Sequence, residues 1–287
     1  MTEKLNVVVT SATGAQGRAI AEGFAAAGHA VTGLTRRATD DAAPFRWRTA
    51  EIDANALAGA FAGADVVVLT SPIDHRPGAR EALAEAVVKG AERAGVSRIV
   101  FNAAAAVFED YDRPVSVDLR RVRDIVLSGP VPAVALQPTV YFDNLRQPWA
   151  AASIREAGVL AYPMPPDAPV SWISHKSLAD FAVAAATGPG LAGRVFDIGG
   201  PVAITGPELT DIVGRHVGRP VRYEWTRADD FAVALNQVFG PPVGDDIADL
   251  YRVMETDRTV MRRDPVGWAD LKVVPETAEA WAARPMW

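Results

Sequence analysis

In VVVTSATGAQGRAI (residues 7–20) a β-branched run stops at Thr10, a turn of small residues carries Gly14 and Gly17, and a helical pattern follows. A strand that turns tightly into a helix aims backbone N–H groups at an anion, and the helix dipole adds favourable potential there. Gly14 would let the backbone approach a phosphate closely, and Gly17 would let the helix pack close to the strand. Ser11 stands where such turns usually carry a first glycine. It is small, and its hydroxyl can donate to a phosphate. The competing reading is a small-residue turn with no ligand, because glycine spacing by itself is a weak signal.

Outward from this turn, short apolar runs alternate with alanine-rich helical stretches. LNVVVTS (5–11), HAVTGLTR (29–36), DVVVLTS (65–71), SRIVFNAA (97–104) and PAVALQPT (132–139) read as strands. GRAIAEGFAAAG (17–28), REALAEAVVKGAERAG (80–95) and SVDLRRVRDIVLSG (116–129) read as helices. Strands that are apolar on both faces, with helices between them, predict a Rossmann-like, doubly wound parallel sheet of the α/β class. Residues 1–140 are expected to form that core. Residues 141–287 are expected to form mainly a smaller C-terminal α/β cap for the substrate, with segments near 170–200 returning to the core. There YPMPPDAP (162–169) reads as irregular and GRVFDIGGP (193–201) as a strand. ITGPELTDIVGRHVG (204–218) carries a capping box from Thr205 to Glu208 and stops at Gly218. DDIADLYRVMETDRTVMRR (245–263) reads as helical.

The totals narrow the function classes. A chain of 287 residues, 49% apolar and 22% charged, is ordinary for a globular protein. Its net charge of −6 argues against a nucleic-acid partner. The absence of cysteine excludes disulfides and thiolate metal sites. The four histidines show no metal-ligand spacing, so no metal is expected. No apolar run reaches the roughly 20 residues of a membrane span. The strand pattern begins too early for a signal peptide, so the expected location is cytoplasmic.

The second strand ends in Thr35, Arg36 and Arg37. Folds that select NAD often place an acidic residue here for the ribose hydroxyls. Paired guanidinium groups suit a 2′-phosphate instead, through charge-assisted bonds. The expected cofactor is NADP(H), with Arg36 on the phosphate. For Arg37 a solvated position is the equal alternative.

The chain resembles the NmrA-like branch of the atypical short-chain dehydrogenases/reductases, which includes NAD(P)H-dependent quinone reductases and nucleotide-sensing regulators. The resemblance is carried by TSATGAQGRAI (10–20), AGADVVVLTSP (62–72), AGVSRIVFNAA (94–104), SGPVPAVALQPTVYFDNL (128–145), VSWISHKSLADFAVAA (170–185) and VFDIGGPVAITGPELTDIVGRHVGRPV (195–221). It implies that Thr13, Gly14, Ala15, Gln16 and Gly17 line the pyrophosphate, with Arg36 at the adenosine phosphate. Asp53 would sit near the adenine, or simply cap a helix. Thr70 and Ser71 would flank the ribose, and Asn102 and Ala103 would approach the nicotinamide.

Reductases of the wider superfamily pair a tyrosine with a lysine four residues later, which tunes the tyrosine as a proton donor. Four residues before Lys89, Lys176 and Lys272 stand Glu85, Trp172 and Trp268, so that pair is missing. The place of a lysine found in related atypical reductases corresponds to Asp118. Tyr141, in PTVYFDNL, is the candidate catalytic residue, and a packed aromatic at the pocket lip is the alternative. His75 and His175 are weaker candidates for substrate contact. Trp225, Trp268, Trp281 and Trp287 would pack the cap or form a homodimer contact. The leading reading is an NADP(H)-dependent oxidoreductase acting on a small carbonyl or quinone. The alternatives are a non-catalytic NADP(H)-sensing regulator and a biosynthetic enzyme using the fold for a non-redox step.

Overall fold

The computed structural model describes residues 3–39, 41–70, 74, 76–263 and 265–285. Its first half alternates strand and helix: β1 (Asn6–Val9), α1 (Ala15–Ala26), β2 (Ala30–Thr35), β3 (Arg46–Thr49), α2 (Ala54–Phe61), β4 (Val66–Thr70), α3 (Ala79–Ala94), β5 (Arg98–Asn102), α4 (Pro114–Leu127) and β6 (Ala133–Pro138). The β-branched runs are buried on both faces, so they lie inside a sheet with helices on either side. That sheet has seven parallel strands in the order β3-β2-β1-β4-β5-β6-β8, the last being β8 (Val195–Ile198). The fold is the Rossmann-like doubly wound sheet that the sequence predicts.

Strand order reverses direction between β1 and β4, and such a switch point opens a crevice at the carboxyl ends of the strands. Register brings Thr70 of β4 beside Asn102 of β5 at that edge. One face of the sheet packs on α2, α3 and α4 through residues such as Leu57, Val87 and Val122. The other packs on α1 and α6 (His175–Thr187), through Ile20, Phe24, Leu178 and Phe181.

After β6 a short 3₁₀ turn (Phe142–Arg146) leads into α5 (Pro148–Ala152) and β7 (Val159–Tyr162). Strand β7 pairs in parallel with β9 (Arg222–Trp225), outside the main sheet. Helix α7 (Gly206–Val217) begins with the expected box: Thr205 Oγ1 accepts from Glu208 N, and Glu208 Oε2 accepts from Thr205 N at 2.7 Å. It stops at Gly218, whose φ of +77° is the left-handed conformation glycine tolerates. Helices α8 (Ala228–Phe239), α9 (Val243–Thr256) and α10 (Ala278–Ala282) complete this half. Its own apolar cluster gathers Leu160, Tyr162, Trp172, Leu209, Met254 and Trp281.

The "GG" after β8 has a steric cause. A Cβ on Gly199 would meet Ser171 O at 2.7 Å, and one on Gly200 would meet Trp172 O at 2.2 Å. The tryptophan expectation needs correcting for Trp268. It lies against the main sheet, edge-on to Phe181 at 5.6 Å, because the chain after α9 crosses back to the core. Trp281 does pack the cap cluster, stacked on Phe142 at 5.0 Å. Trp287 lies outside the described residues.

Candidate functional site

Ser11 adopts φ +53°, the left-handed region that costs a non-glycine residue roughly 1–2 kcal/mol. That conformation is why glycine is the usual choice here. The turn is held by Gly14 N donating to Ser11 O at 2.9 Å and by Ala12 N donating to Leu34 O at 3.3 Å. Ser11 Oγ donates to Thr70 O at 3.4 Å, and Thr70 N to Thr10 Oγ1 at 3.2 Å, which ties the loop to β4. A Cβ on Gly17 would stand 2.3 Å from Ser11 O, so α1 can start this close to the turn only with glycine there. A Cβ on Gly14 would meet only Ser11 O, at 3.3 Å, which leaves the approach to the helix end open. Thr13, Gly14 and Ala15 are exposed, and no side chain caps α1. The first-turn N–H groups of a helix left this way are an anion site.

Two further observations test the fit of a dinucleotide. The Thr70 hydroxyl oxygen is buried at the end of β4 with no hydrogen-bond partner, and a buried polar atom of this kind calls for a ligand or water. Arg36 and Arg37 are both exposed after β2, on a turn fixed by Thr35 Oγ1, which accepts from Arg37 N and donates to Arg37 O. The residues present therefore fit the group. Asp53 caps α2: its Oδ1 accepts from Asn55 N at 2.9 Å and Ala56 N at 3.0 Å. Ser71 and His75 lie outside the described residues.

Gln16, read from sequence as a pyrophosphate-loop residue, sends its side chain across the crevice. Its Oε1 accepts from Asn102 Nδ2 at 2.9 Å and from Tyr141 OH at 3.0 Å, and its Nε2 donates to Ala104 O at 3.3 Å. Asn102 Oδ1 accepts from Ala104 N at 3.0 Å, which holds Ala104 at φ +65°. One side chain from α1 thus locks the ends of β5 and β6 together.

Beyond this cluster lies a cavity of about 250 Å³ between the strand ends and the cap. Ala103 to Ala106, Leu119 of α4, Phe231 and Leu235 of α8, and Leu250 and Tyr251 of α9 make its walls mainly apolar. Tyr141 and Tyr162 also reach it. Burial raises the pKa of Tyr141 well above the usual phenol range, helped by the Asp143 carboxylate. Tyr251 rises for the same reason, beside Tyr162, and the two hydroxyls lie 3.0 Å apart. Each phenol is therefore neutral at physiological pH. His175 packs edge-on against Tyr141 at 4.9 Å, and burial lowers its pKa, so it is neutral as well. Lys176, two-fifths buried, pairs with Asp180 at 2.6 Å on α6. The phenols of the cavity are hydrogen-bond donors held too basic to act as acids near neutral pH.

A model of the NmrA-like family matches residues 3–281. The chain belongs to the NmrA-like family. It is 34% identical over 251 residues to the (4-alkanoyl-5-oxo-2,5-dihydrofuran-3-yl)methyl phosphate reductase of Streptomyces griseus subsp. griseus, covering 83% of each chain. It is 26% identical over 202 residues to the NAD(P)H azoreductase of Xenophilus azovorans, covering 70% of this chain and 68% of the relative. Among solved folds, the triphenylmethane reductase of Citrobacter sp., complexed with NADP(H), matches with a TM-score of 0.80 at 17% identity. That match covers 98% of this NmrA-like chain and all of the other.

Sequence reasoning missed Arg80 and Tyr251, which also line the cavity. For Arg80 a signal was present. It begins the buried stripe Arg80, Leu83, Ala84, Val87, Val88, Ala91 of α3, a charged residue at an apolar position of the 3.6-residue period. Tyr251 had no such signal, because the tyrosines of a buried network look like ordinary core aromatics.

Proposed function

We propose that this chain is an NADP(H)-dependent oxidoreductase that reduces a small, electron-poor conjugated acceptor, a quinone or a conjugated carbonyl, in the cavity under the cap. One juxtaposition carries the reading. An uncapped helix N-terminus and an unpartnered Thr70 hydroxyl lie at the same sheet edge as an apolar cavity whose polar groups include neutral phenols.

The loop amides from Thr13 to Gly17 would hold the pyrophosphate, Arg36 with Arg37 the adenosine phosphate and Thr70 the ribose, with Asn102 and Ala103 on the nicotinamide side. The bound cofactor supplies a hydride. The chain's part is to hold the acceptor in line and keep water from the reacting carbon, which lowers the barrier by positioning. A simple ketone would leave a localised alkoxide that needs a matched acid. A conjugated acceptor spreads the electron pair, and water can then supply the proton. Tyr141 is the proposed hydrogen-bond donor to the acceptor oxygen, exchanging its bond to Gln16 when the acceptor enters. The activities named for the Streptomyces and Xenophilus relatives, both reductases, support this reading.

The test is NADPH oxidation followed by absorbance with a naphthoquinone, an acyl butenolide and a saturated aliphatic aldehyde. Turnover of the two conjugated acceptors should exceed that of the aldehyde by about tenfold or more. Tight NADPH binding with no turnover of any acceptor would overturn the enzyme reading and favour a nucleotide sensor.

A further inference from the structure

Arg80 presents an energetic problem that the proposed reaction does not resolve. It is the second residue of α3, only 8% exposed, and it lines the cavity. Its Nε is buried with no hydrogen-bond partner, and no described carboxylate forms an ion pair with it. A hydrogen bond from a buried guanidinium N–H is costly to leave unmade. Arginine cannot relieve that cost by losing its proton.

Carboxylates of Asp74 and Asp118 lie within its electrostatic reach, but neither hydrogen-bonds it. Asp74, on the approach to α3, accepts from Arg76 at 3.0 and 2.6 Å, which holds its carboxyl down to about 2. Asp118, facing Arg80 from α4, lies 3.9 Å from Arg121. Burial and the charge of Glu81 push the Asp118 carboxyl up, against the pull of Arg80 and Arg121. Asp246 of α9, also on the cavity wall, is itself engaged.

We propose that Arg80 is the anion-binding subsite of the substrate pocket, and that the natural acceptor carries a phosphate monoester or carboxylate which seats on its guanidinium. The inference rests on the reductase reading in one respect, that the cavity holds the substrate. The guanidinium presents a planar fork of N–H donors that suits either anion, and the apolar surroundings strengthen the contact by excluding water. The same cation disfavours a wholly neutral, acceptor-free substrate, whose binding would leave its Nε without a hydrogen-bond partner. Arg80 is therefore a specificity residue.

The experiment compares a butenolide bearing a methyl phosphate with its free alcohol, and with the corresponding carboxymethyl compound, on the wild-type chain, Arg80→Lys and Arg80→Met. Phenyl phosphate and phenol, titrated calorimetrically, read the subsite without turnover. The wild type should prefer the phosphate or the carboxylate to the alcohol in KM by about tenfold or more, the effect of one charge-assisted contact. Arg80→Met should bring that ratio towards one, and Arg80→Lys should restore part of it. Whichever anion shows the larger ratio identifies the native group. No anion preference in the wild type, or an undiminished one in Arg80→Met, overturns the proposal. If Arg80→Met does not fold, the wild-type ratio and Arg80→Lys decide. Turnover of a neutral naphthoquinone without anion preference would leave the reductase reading standing alone. Phenyl phosphate binding that weakens in Arg80→Lys, with no turnover of any acceptor, would leave the anion site standing alone.

Discussion

At the scale of single residues, Ser11 and Gly17 divide the work of one tight turn. Ser11 takes a left-handed conformation and offsets part of that cost with its hydrogen bond to Thr70 O. Gly17 leaves the 2.3 Å gap in which the Ser11 carbonyl sits. Both follow from residue type, and the glycine spacing already marked the place. Arg36 is different, since its exposure is compatible with solvent as well as with a 2′-phosphate. Arg36→Ala should weaken NADPH by about 1–3 kcal/mol and leave NADH within about twofold. Titration of both nucleotides by tryptophan fluorescence checks it, and equal losses would remove the phosphate from the argument.

At the scale of elements, α7 shows how much a local signal can carry. Its capping box, proline in the first turn and terminal Gly218 all appear where the sequence puts them. Thr205→Ala removes the acceptor for Glu208 N and should cost about 1 kcal/mol in denaturant unfolding. NADPH affinity should stay within about twofold, because α7 packs in the cap cluster rather than against the loop. In α3 the local signal is only half legible. Periodicity places Arg80 on the buried stripe, but whether its guanidinium meets a carboxylate, solvent or an empty cavity depends on α4 and α9, which arrive from far along the chain. Gln16 follows the same rule, because its partners Asn102, Ala104 and Tyr141 lie 86, 88 and 125 residues away.

At the scale of the whole molecule, burial sets the response to pH. His29 is 9% exposed, its Nδ1 accepts from Leu5 N at 3.2 Å, and burial lowers its pKa from 6.5. His175, buried beside Tyr141, is lowered for the same reason. Each group binds a proton more readily when the chain is unfolded, so stability rises with pH. Their contribution is complete above about pH 6.5 and is lost as the pH falls below it. Thermal unfolding should show a lower Tm at pH 5 than at pH 7.5, and His29→Gln should reduce the difference. A Tm that rises on acidification would show that the buried imidazoles do not govern this range.

The sequence by itself determined the parallel sheet, the glycine turn after β1 and the helix ends, because β-branched runs, glycine positions and caps act over a few residues. It did not determine that Trp268 returns to the sheet, that Gln16 bridges two strand ends, or that Arg80 Nε is left on the cavity wall without a hydrogen-bond partner. Those outcomes were decided by tertiary structure. The energy of a polar or aromatic side chain depends on what surrounds it, and its surroundings here come from segments distant in the chain.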